Sequence, residues 1–304
     1  MEKQKVSKME GHTIMCLSDV RTFQGSENIL QEIKPSNVFL LGDILYDGPG
    51  QFYQLDNKKV ISGNTHSNKF LEKIHTQHFL DFLEKCITIG VKKIFILPGN
   101  HDNNIDYIRI ISSRDLPLNR INFIQEPLDV TINEINIFLL PYNYLGKRKL
   151  KPFISRLHHS NILMTHGELR HLRYLVDEIY KFHDKKNRVI ISGHLGLGYF
   201  PPKRLAEALI SKNSKLGEKV FSKKGSYLYP QFCSNKNIHI LRIDSFPFSF
   251  CTLEISNEFV EGKLLYGKIN LNKFSFSSFL IERKYKLTHY TNHTSLLEIF
   301  NIKL

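Results

Sequence analysis

The chain has 304 residues, and its 41% hydrophobic and 12% aromatic content is typical of a folded protein with a sizeable core. This composition excludes collagen-like, disordered and repeat-array architectures. The formal net charge of +13 favours anionic partners, with nucleic acid as the first candidate, although the abundance of lysine makes a generally basic exterior an equal alternative.

Short apolar runs alternate with helical patterns along the first two thirds of the chain. Residues 13–18 and 38–41 are predicted strands. Residues 70–87 place apolar side chains at spacings of three and four, which predicts a helix that ends near Gly90, and residues 169–182 predict a second amphipathic helix. Further strands are predicted at residues 94–97, 137–140, 162–164 and 189–192. The alternation predicts a layered α/β sheet with helices on its faces.

The pattern changes to β structure from about Lys219 onward. Residues 238–243, 250–255 and 259–266 are predicted strands of a sheet flank or of a small β subdomain. Earlier in the chain, the glycine and proline of residues 48–68 predict a long irregular insertion of the kind that covers or selects a substrate. The last stretch, residues 270–304, gives no indication of its role.

The four cysteines stand far apart, without a Cys-x-x-Cys spacing. Cys16, Cys86 and Cys251 lie within apolar runs, which predicts buried thiols in a reducing compartment. The amino terminus is charged and lacks an apolar signal core, and no apolar run is long enough to span a membrane. We therefore expect a cytoplasmic protein with no membrane partner.

Polar residues follow five of the strand-like runs. Because parallel strands present their carboxyl ends at one edge of a sheet, these groups are predicted to converge although they span most of the chain. Carboxylate, imidazole and amide groups at one point suit a divalent or transition-metal cation. Each residue taken singly has a plainer interpretation, since a strand-end aspartate can cap the next helix. The five junctions are Asp19-Val20-Arg21, Gly42-Asp43 with Asp47, Gly99-Asn100-His101-Asp102, Thr165-His166-Gly167 and Ser192-Gly193-His194-Leu195-Gly196.

These junctions resemble the motifs of the calcineurin-like metallophosphoesterase superfamily, which run D-x-H, G-D-x-x-D, G-N-H-D/E, a lone histidine and G-H-x-H. The resemblance covers residues 13–255, and G-N-H-D is matched completely at residues 99–102. It implies a layered α/β/β/α sandwich with a β-rich C-terminal flank. Residues 1–266 would form the metallophosphoesterase domain, and residues 267–304 would be a C-terminal extension of unknown role.

The resemblance also implies a role for each matching residue. Asp43 would be the carboxylate that bridges two metal ions, and Asp19 would belong to one of the two metal sites. His101 resembles the histidine that protonates the leaving oxygen or steadies the phosphate, with Asp102 in its immediate surroundings. The remaining ligands of the other metal site would be Asn100, His166 and His194.

Two family histidines are replaced, and both belong to the metal site of Asp19. Arg21 stands two residues after Asp19, where the motif has a histidine, and Gly196 stands at the last histidine of G-H-x-H. Tyr46 takes the second aspartate of G-D-x-x-D, with Asp47 one residue late, but in the family that aspartate is not a metal ligand. One metal site therefore keeps its full set of matches, whereas the other retains Asp19 and a share of the bridging carboxylate.

Three consequences are compatible with these replacements. The permanently charged, planar guanidinium of Arg21 could stand in for one metal ion by gripping phosphate oxygens. Alternatively, an oxygen-rich second site could still take Mg²⁺ or Mn²⁺ through Asp19, Asp43 and waters. In the third case hydrolysis is lost and the domain is a binding scaffold. Retention of His101 favours catalysis, because a scaffold has little need for a leaving-group acid.

We therefore expect a phosphoesterase that uses metal-activated water, with one or two divalent ions and with Mn²⁺ favoured over Mg²⁺, iron or zinc. The basic charge favours a phosphodiester of nucleic acid or a nucleotide over a simple monoester. The predicted catalytic residues are His101, Arg21 and Asp102. The alternatives are an inactive scaffold on the same fold and a nuclease subunit that works with a long coiled-coil ATPase. No particular protein partner is predicted. The basic clusters are Lys147, Arg148, Lys149 and Lys151; Lys181, Lys185, Lys186 and Arg188; and Lys223 and Lys224.

Overall fold

A computed structural model describes residues 12–20, 22–23, 26–45, 51–56, 59–64, 69–102, 104–181, 188–194, 232–235, 238–243, 246, 249–255, 259–270 and 275–286. The strands are β1 (His12–Leu17), β2 (Asn37–Leu41), β3 (Gln51–Asp56), β4 (Lys59–Asn64), β5 (Lys93–Leu97), β6 (Ile121–Phe123), β7 (Leu128–Ile132), β8 (Ile135–Leu140), β9 (Ile162–Thr165), β10 (Arg188–Ser192), β11 (Phe232–Asn235), β12 (Ile238–Arg242), β13 (Ser249–Ile255), β14 (Phe259–Asn270) and β15 (Ser275–Lys286). The helices are α1 (Ser26–Ile33), α2 (Lys69–Thr88), α3 (Tyr107–Ser112), α4 (Lys147–Leu150), α5 (Ile154–His159) and α6 (Leu169–Tyr180).

The strands form two mixed sheets and one separate hairpin. The first sheet has the order β15-β14-β13-β1-β2-β5-β6, in which β1, β2, β5 and β6 run parallel. The second sheet has the order β11-β12-β10-β9-β8-β7, in which β12, β10, β9 and β8 run parallel and the two edge strands run antiparallel. The hairpin pairs β3 with β4.

The two sheets pack face to face, and alternate residues of each central strand point to opposite sides. Phe39 and Leu41 of β2 join Ile162 and Met164 of β9 in the core between the sheets. The intervening residues of β2 pack instead under α1, α2 and α3, and those of β9 pack under α5 and α6. Because both faces of these strands are buried, their sequences are continuous apolar runs. The layers are therefore α/β/β/α, which confirms the predicted fold class.

Most of the predicted elements are present, with ends that differ by a few residues. The helix predicted at residues 70–87 is α2, and Gly90 follows it with a φ of +93°, the left-handed conformation that ends many helices. The late strands flank both sheets: β11 and β12 complete the second sheet, and β13, β14 and β15 extend the first. They therefore form a sheet flank and not a separate β subdomain.

The irregular insertion predicted at residues 48–68 is wrong in part. Gln51–Asp56 and Lys59–Asn64 form an antiparallel hairpin, in which Gln51 is opposite Asn64. Each strand carries β-branched or aromatic side chains between polar ones, which favours pairing. The glycines and proline at the ends of this segment hid that pattern.

The predicted boundary at residue 266 falls within β14, a single strand that runs from Phe259 to Asn270. Ser275–Lys286, from the predicted extension, pairs with β14 along its whole length as the edge strand of the first sheet. The division of the chain into domains stays a prediction.

Cys16, Cys86 and Cys251 are free and buried, as the sequence predicted. Burial raises the pKa of all three thiols, so that they stay protonated near neutral pH. Among the helices of the described residues, none is both long enough and apolar enough to cross a bilayer.

Candidate metal centre

The site lies where strands of both sheets end on the same edge of the sandwich. Asp19 and Asp43 follow β1 and β2 of the first sheet, and Asn100 follows β5. His166 and His194 follow β9 and β10 of the second sheet. Because the two sheets face each other, the carboxyl ends of their parallel strands meet across the core, which brings these five residues into one region.

Backbone hydrogen bonds connect the strand-end loops. The Asp19 N–H donates to the Gly42 carbonyl at 3.0 Å, and the Gly193 N–H donates to the Thr165 carbonyl at 3.1 Å. The His194 N–H donates to Asp19 Oδ2 at 2.9 Å and so joins the last loop to the first. The loops therefore hold one another in place.

Three residues of the site have a left-handed backbone, which is rare for residues other than glycine. Their φ angles are +48° at Asp19, +53° at Asp43 and +62° at His194. Each turns the chain sharply at the end of its strand. Such residues persist only where the surroundings determine them strongly, and they cluster at functional sites.

Four side-chain atoms converge on one point. His166 Nε2 lies 3.2 Å from Asp43 Oδ2, 3.1 Å from Asn100 Oδ1 and 3.1 Å from His194 Nδ1. Asn100 Oδ1 lies 2.7 Å from His194 Nδ1. Ligand atoms bound at about 2.1 Å to one octahedral cation lie about 3 Å apart. These four side chains are therefore already spaced as ligands of one ion.

The hydrogen-bond chemistry of His166 also fits a cation. Its Nδ1 donates to the Leu41 carbonyl at 2.7 Å, because a carbonyl can only accept. In the neutral ring, Nε2 then carries a lone pair that faces a carboxylate oxygen, an amide oxygen and the second imidazole. A cation that took up this lone pair would also attract the carboxylate and amide oxygens beside it. A backbone carbonyl that fixes the outer nitrogen is also typical of metal-bound histidines.

The buried charges shift one another's pKa values. Burial raises the pKa of Asp43, but the charge and hydrogen bond of His166 outweigh this effect and hold it below its usual range. Burial lowers the pKa of His166, but Asp43, and next to it Asp19, raise the value well above that of an ordinary histidine. Burial, followed by the charge of His166, lowers the pKa of His194. Without a cation, the Asp43–His166 ion pair is therefore the favoured state.

His101 is adjacent to this cluster. Its N–H donates to Asp43 Oδ1 at 2.9 Å, and its side chain is half-buried. Asp43 therefore has one carboxylate oxygen on the His101 backbone and the other toward His166. The charge of the His101 imidazole also lowers the pKa of Asp43, so this ring lies near the cluster.

Asp102 lies beneath the loops, with 2% of its surface exposed. Its carboxylate accepts hydrogen bonds from the Gly99 N–H at 2.9 Å, the Ile44 N–H at 3.1 Å and the Tyr107 hydroxyl at 3.0 Å. Burial, followed by the charge of Asp43, raises its pKa. This residue therefore ties the loop after β5 to the loop after β2.

Asp19 is also buried, and its Oδ2 lies 2.8 Å from the Ser18 hydroxyl in addition to its bond from His194 N–H. It contributes to the electrostatics of His166 but does not belong to the group formed by Asp43, His166 and His194, whose ligand atoms all lie within 4.8 Å of one another. Arg21, Tyr46, Asp47 and Gly196 lie outside the described residues.

Sequence reasoning missed Tyr142, which contacts both histidines. Its ring lies 6.2 Å from that of His194 and 6.3 Å from that of His166. A signal was present, because Pro141-Tyr142 directly follows the predicted strand at residues 137–140 and so makes a sixth strand-end junction. It was overlooked because neither residue is a typical metal ligand.

The site also explains two glycines. A Cβ on Gly99 would lie 2.2 Å from Asp43 Oδ1, and one on Gly193 would lie 1.8 Å from the Ser18 hydroxyl oxygen. Neither position has room for a side chain, so close approach of the backbone to the site requires glycine at both.

The four layers and the cluster at their strand ends define an α/β/β/α protein with a candidate cation site. A model described as calcineurin-like phosphoesterase matches residues 12–218, which are more than half of the chain. The chain belongs to this family.

Several solved structures resemble the chain over nearly its whole length. Vacuolar protein sorting 29 from Cryptosporidium parvum is 12% identical, with a TM-score of 0.42, and the match covers 91% of this chain and 98% of that one. The protein of the same name from Chaetomium thermophilum is 10% identical, with a TM-score of 0.41 and coverage of 92% and 100%. A conserved protein from Streptococcus pneumoniae, described as a predicted phosphoesterase, is 11% identical, with a TM-score of 0.38 and coverage of 91% and 99%. Scores this low carry no conclusion about the chain. A comparison with curated proteins gave no match.

Proposed function

We propose that the chain is a metal-dependent phosphoesterase whose cation is held by Asp43, Asn100, His166 and His194. The observation that carries the proposal is the convergence of His166 Nε2, Asp43 Oδ2, Asn100 Oδ1 and His194 Nδ1 at spacings of 2.7 to 3.2 Å. A divalent cation at this point would polarise both a water molecule and a phosphoryl oxygen. Mixed nitrogen and oxygen ligands suit Mn²⁺, iron or zinc, and Mn²⁺ is the ion that we favour.

The protein's own residues would perform the remaining steps. Asp43 would hold the cation with one oxygen while the His101 N–H fixes the other. His101 would donate a proton to the leaving oxygen, or a hydrogen bond to the phosphate, from its place beside the cluster. Arg21 would grip the phosphate, and Asp19 would take part in a weaker second site or add negative charge near the first.

A phosphodiester of a nucleic acid or nucleotide is the substrate class that we propose. Support comes from α4, which carries Lys147, Arg148 and Lys149 with exposed side chains. Within the described residues, none of the three has a carboxylate partner, whereas Arg114 and Arg156 do. Only two residues separate the half-buried Tyr144 from the start of α4, and the same loop carries Tyr142, whose ring packs against that of His194. A nucleic-acid strand bound at α4 would therefore lie beside the candidate metal centre.

The direct test is hydrolysis of an aryl phosphodiester, an aryl phosphomonoester and single-stranded DNA by the purified full chain with Mn²⁺. We expect Asp43→Ala to lose both metal and activity, and His101→Ala to lose turnover while metal content, measured by elemental analysis, is retained. His159→Ala, an exposed histidine on the outer helix α5, is the matched control and should behave as wild type. Activity that survives both Asp43→Ala and His101→Ala would refute the proposal.

The substrate class has its own test. Replacement of Lys147, Arg148 and Lys149 by glutamine should weaken binding of single-stranded DNA. The association constant falls as salt rises, and each phosphate contact contributes about 0.7 to the steepness of a plot of its logarithm against the logarithm of salt concentration. Loss of three contacts should therefore make this plot shallower by about 2. The control replaces the same residue types elsewhere on the surface, at Lys73, Lys92 and Arg109. Equal effects of the two triple variants would mean that net charge, and not the α4 turn, attracts DNA.

A non-catalytic scaffold is the second candidate, and the observation that favours it is the loss of two family histidines at Arg21 and Gly196. A protein that purifies without metal, and whose thermal stability is unchanged by chelator, would support this alternative. Joint replacement of Arg21 and Gly196 by histidine distinguishes the cases further. Increased metal stoichiometry would mean that the second site was lost through these two positions, and unchanged stoichiometry would mean that Arg21 has a different role.

A further inference from the structure

Tyr142 occupies a central place beside the candidate metal centre. It lies two residues after the end of β8, which pairs in parallel with β9, so its loop is next to the loop that carries His166. Its N–H donates to the Pro98 carbonyl at 3.4 Å, just before the Gly99-Asn100 turn. Its backbone and side chain therefore contact three of the loops that carry the proposed ligands.

The aromatic ring packs against the imidazoles from outside the cluster. It is nearly parallel to the His194 ring, with an interplanar angle of 25°, and it meets the His166 ring edge to face at 66°. The two imidazoles themselves are nearly perpendicular, with centroids 4.9 Å apart. The Tyr142 ring thus packs against both imidazoles, while His166 Nε2 and His194 Nδ1 face Asn100 Oδ1.

The far end of the side chain is also fixed. The Tyr142 hydroxyl donates to Glu168 Oε1 at 3.4 Å, and its ring meets His171 edge to face at 5.7 Å. Glu168 precedes α6, and its carbonyl accepts the N–H groups of His171 and Leu172 in the first turn of that helix. The position of the ring is therefore set by a helix end as well as by its own loop.

We propose that Tyr142 is a positioning residue for the metal centre, whose ring holds the His194 and His166 imidazoles in the orientation that binds the cation. This inference depends on the metal site of the proposed function. His194 has a left-handed backbone at a strand end, a conformation that persists only where surrounding contacts determine it, and the Tyr142 ring is one of these contacts. The electron-rich ring face would also favour an imidazole that gains positive character when it binds a cation.

The test is calorimetric titration of Mn²⁺ into the chelator-treated full chain. Tyr142→Leu removes the ring, and we expect Mn²⁺ affinity to fall about tenfold, the size typical of losing an outer contact to a metal-bound histidine. Tyr142→Phe keeps the ring and should restore the affinity to within about twofold of wild type. The nitrogen resonances of the His166 and His194 rings, recorded without metal, should move in the leucine variant and stay in place in the phenylalanine variant.

Tyr144→Leu is the matched control, because Tyr144 lies in the same loop and packs edge to face against Phe153 at 5.6 Å. It should lower the thermal midpoint in the same way as Tyr142→Leu but leave Mn²⁺ affinity unchanged. Wild-type affinity in Tyr142→Leu, or an equal loss in Tyr142→Phe, would overturn the role of the ring while the proposed function stands. A wild-type chain that binds no Mn²⁺ would refute the metal centre itself.

Discussion

Asp102 gives the sharpest prediction about the stability of the site. Its buried carboxylate accepts from the N–H groups of Gly99, Ile44 and Leu45 and from the Tyr107 hydroxyl, at distances of 2.9 to 3.4 Å. Asp102→Ala would remove this acceptor from all four donors and leave three of them unsatisfied, since the Leu45 N–H also bonds to the Tyr107 hydroxyl oxygen. An unsatisfied buried donor costs about 1–3 kcal/mol, and water entering the cavity would recover part of that sum. We expect a loss of about 4 kcal/mol in the free energy of unfolding.

Two further variants provide comparison values for the stability loss expected of Asp102→Ala. Tyr107→Phe removes one donor and leaves the carboxylate its other partners, so the loss should be about 1 kcal/mol. Asp102→Asn keeps the shape of the side chain but turns an NH₂ group toward backbone donors. Its loss in the free energy of unfolding should therefore lie between those of Tyr107→Phe and Asp102→Ala. Urea denaturation, with comparable slopes for all variants, measures the three values. If Asp102→Ala costs no more than Tyr107→Phe, the carboxylate does not join the two loops as we describe.

Two predictions concern other parts of the core and the site. Gly99→Ala would place a Cβ 2.2 Å from Asp43 Oδ1, so Mn²⁺ binding should be lost and the thermal midpoint should fall. Gly146→Ala is the control: its Cβ would meet nothing within 4 Å, so Mn²⁺ binding and the thermal midpoint should stay unchanged. Equal behaviour of the two variants would contradict the close approach of the loops. Because burial raises the pKa of Cys16, Cys86 and Cys251, iodoacetamide at pH 8 should modify none of them in the native protein and all of them in urea, as peptide mass spectrometry can show. Modification of any of the three before unfolding would contradict their burial.

The central strands were predictable because burial on both faces leaves a direct mark on the sequence. In β2 and β5 almost every residue is apolar, since alternate side chains enter the core between the sheets or the core under the helices. The convergence of the polar residues was predictable for a related reason. Once the strands are assigned, the polar residues that follow them must lie at one edge, and the distances between His166, Asn100 and His194 agree with that expectation.

The remaining elements leave a weaker mark. The edge strand β7 pairs with β8 and alternates apolar and polar residues, with Val130 and Ile132 packed against the core between the sheets, but it has no continuous apolar run. The helices α3, α4 and α5 have only four to six residues, too few for a periodic pattern. Tyr142 follows a predicted strand, but its residue type does not indicate a metal ligand, and its contacts with His166 and His194 join residues far apart in sequence.

The left-handed backbone at Asp19, Asp43 and His194 connects the fold to the proposed chemistry. Glycine adopts this backbone freely, and asparagine, aspartate and histidine adopt it more often than other residues, but the left-handed conformation still costs a non-glycine residue roughly 1–2 kcal/mol. The bonds from Asp19 N–H to Gly42 and from His194 N–H to Asp19 oppose that cost and fix the turns. A protein selected for stability alone would relax these turns with glycine. Ligand atoms at Asp43 and His194 are explained if the strained turns are what bring a carboxylate and an imidazole to the same cation, with Asp19 holding the His194 backbone in place.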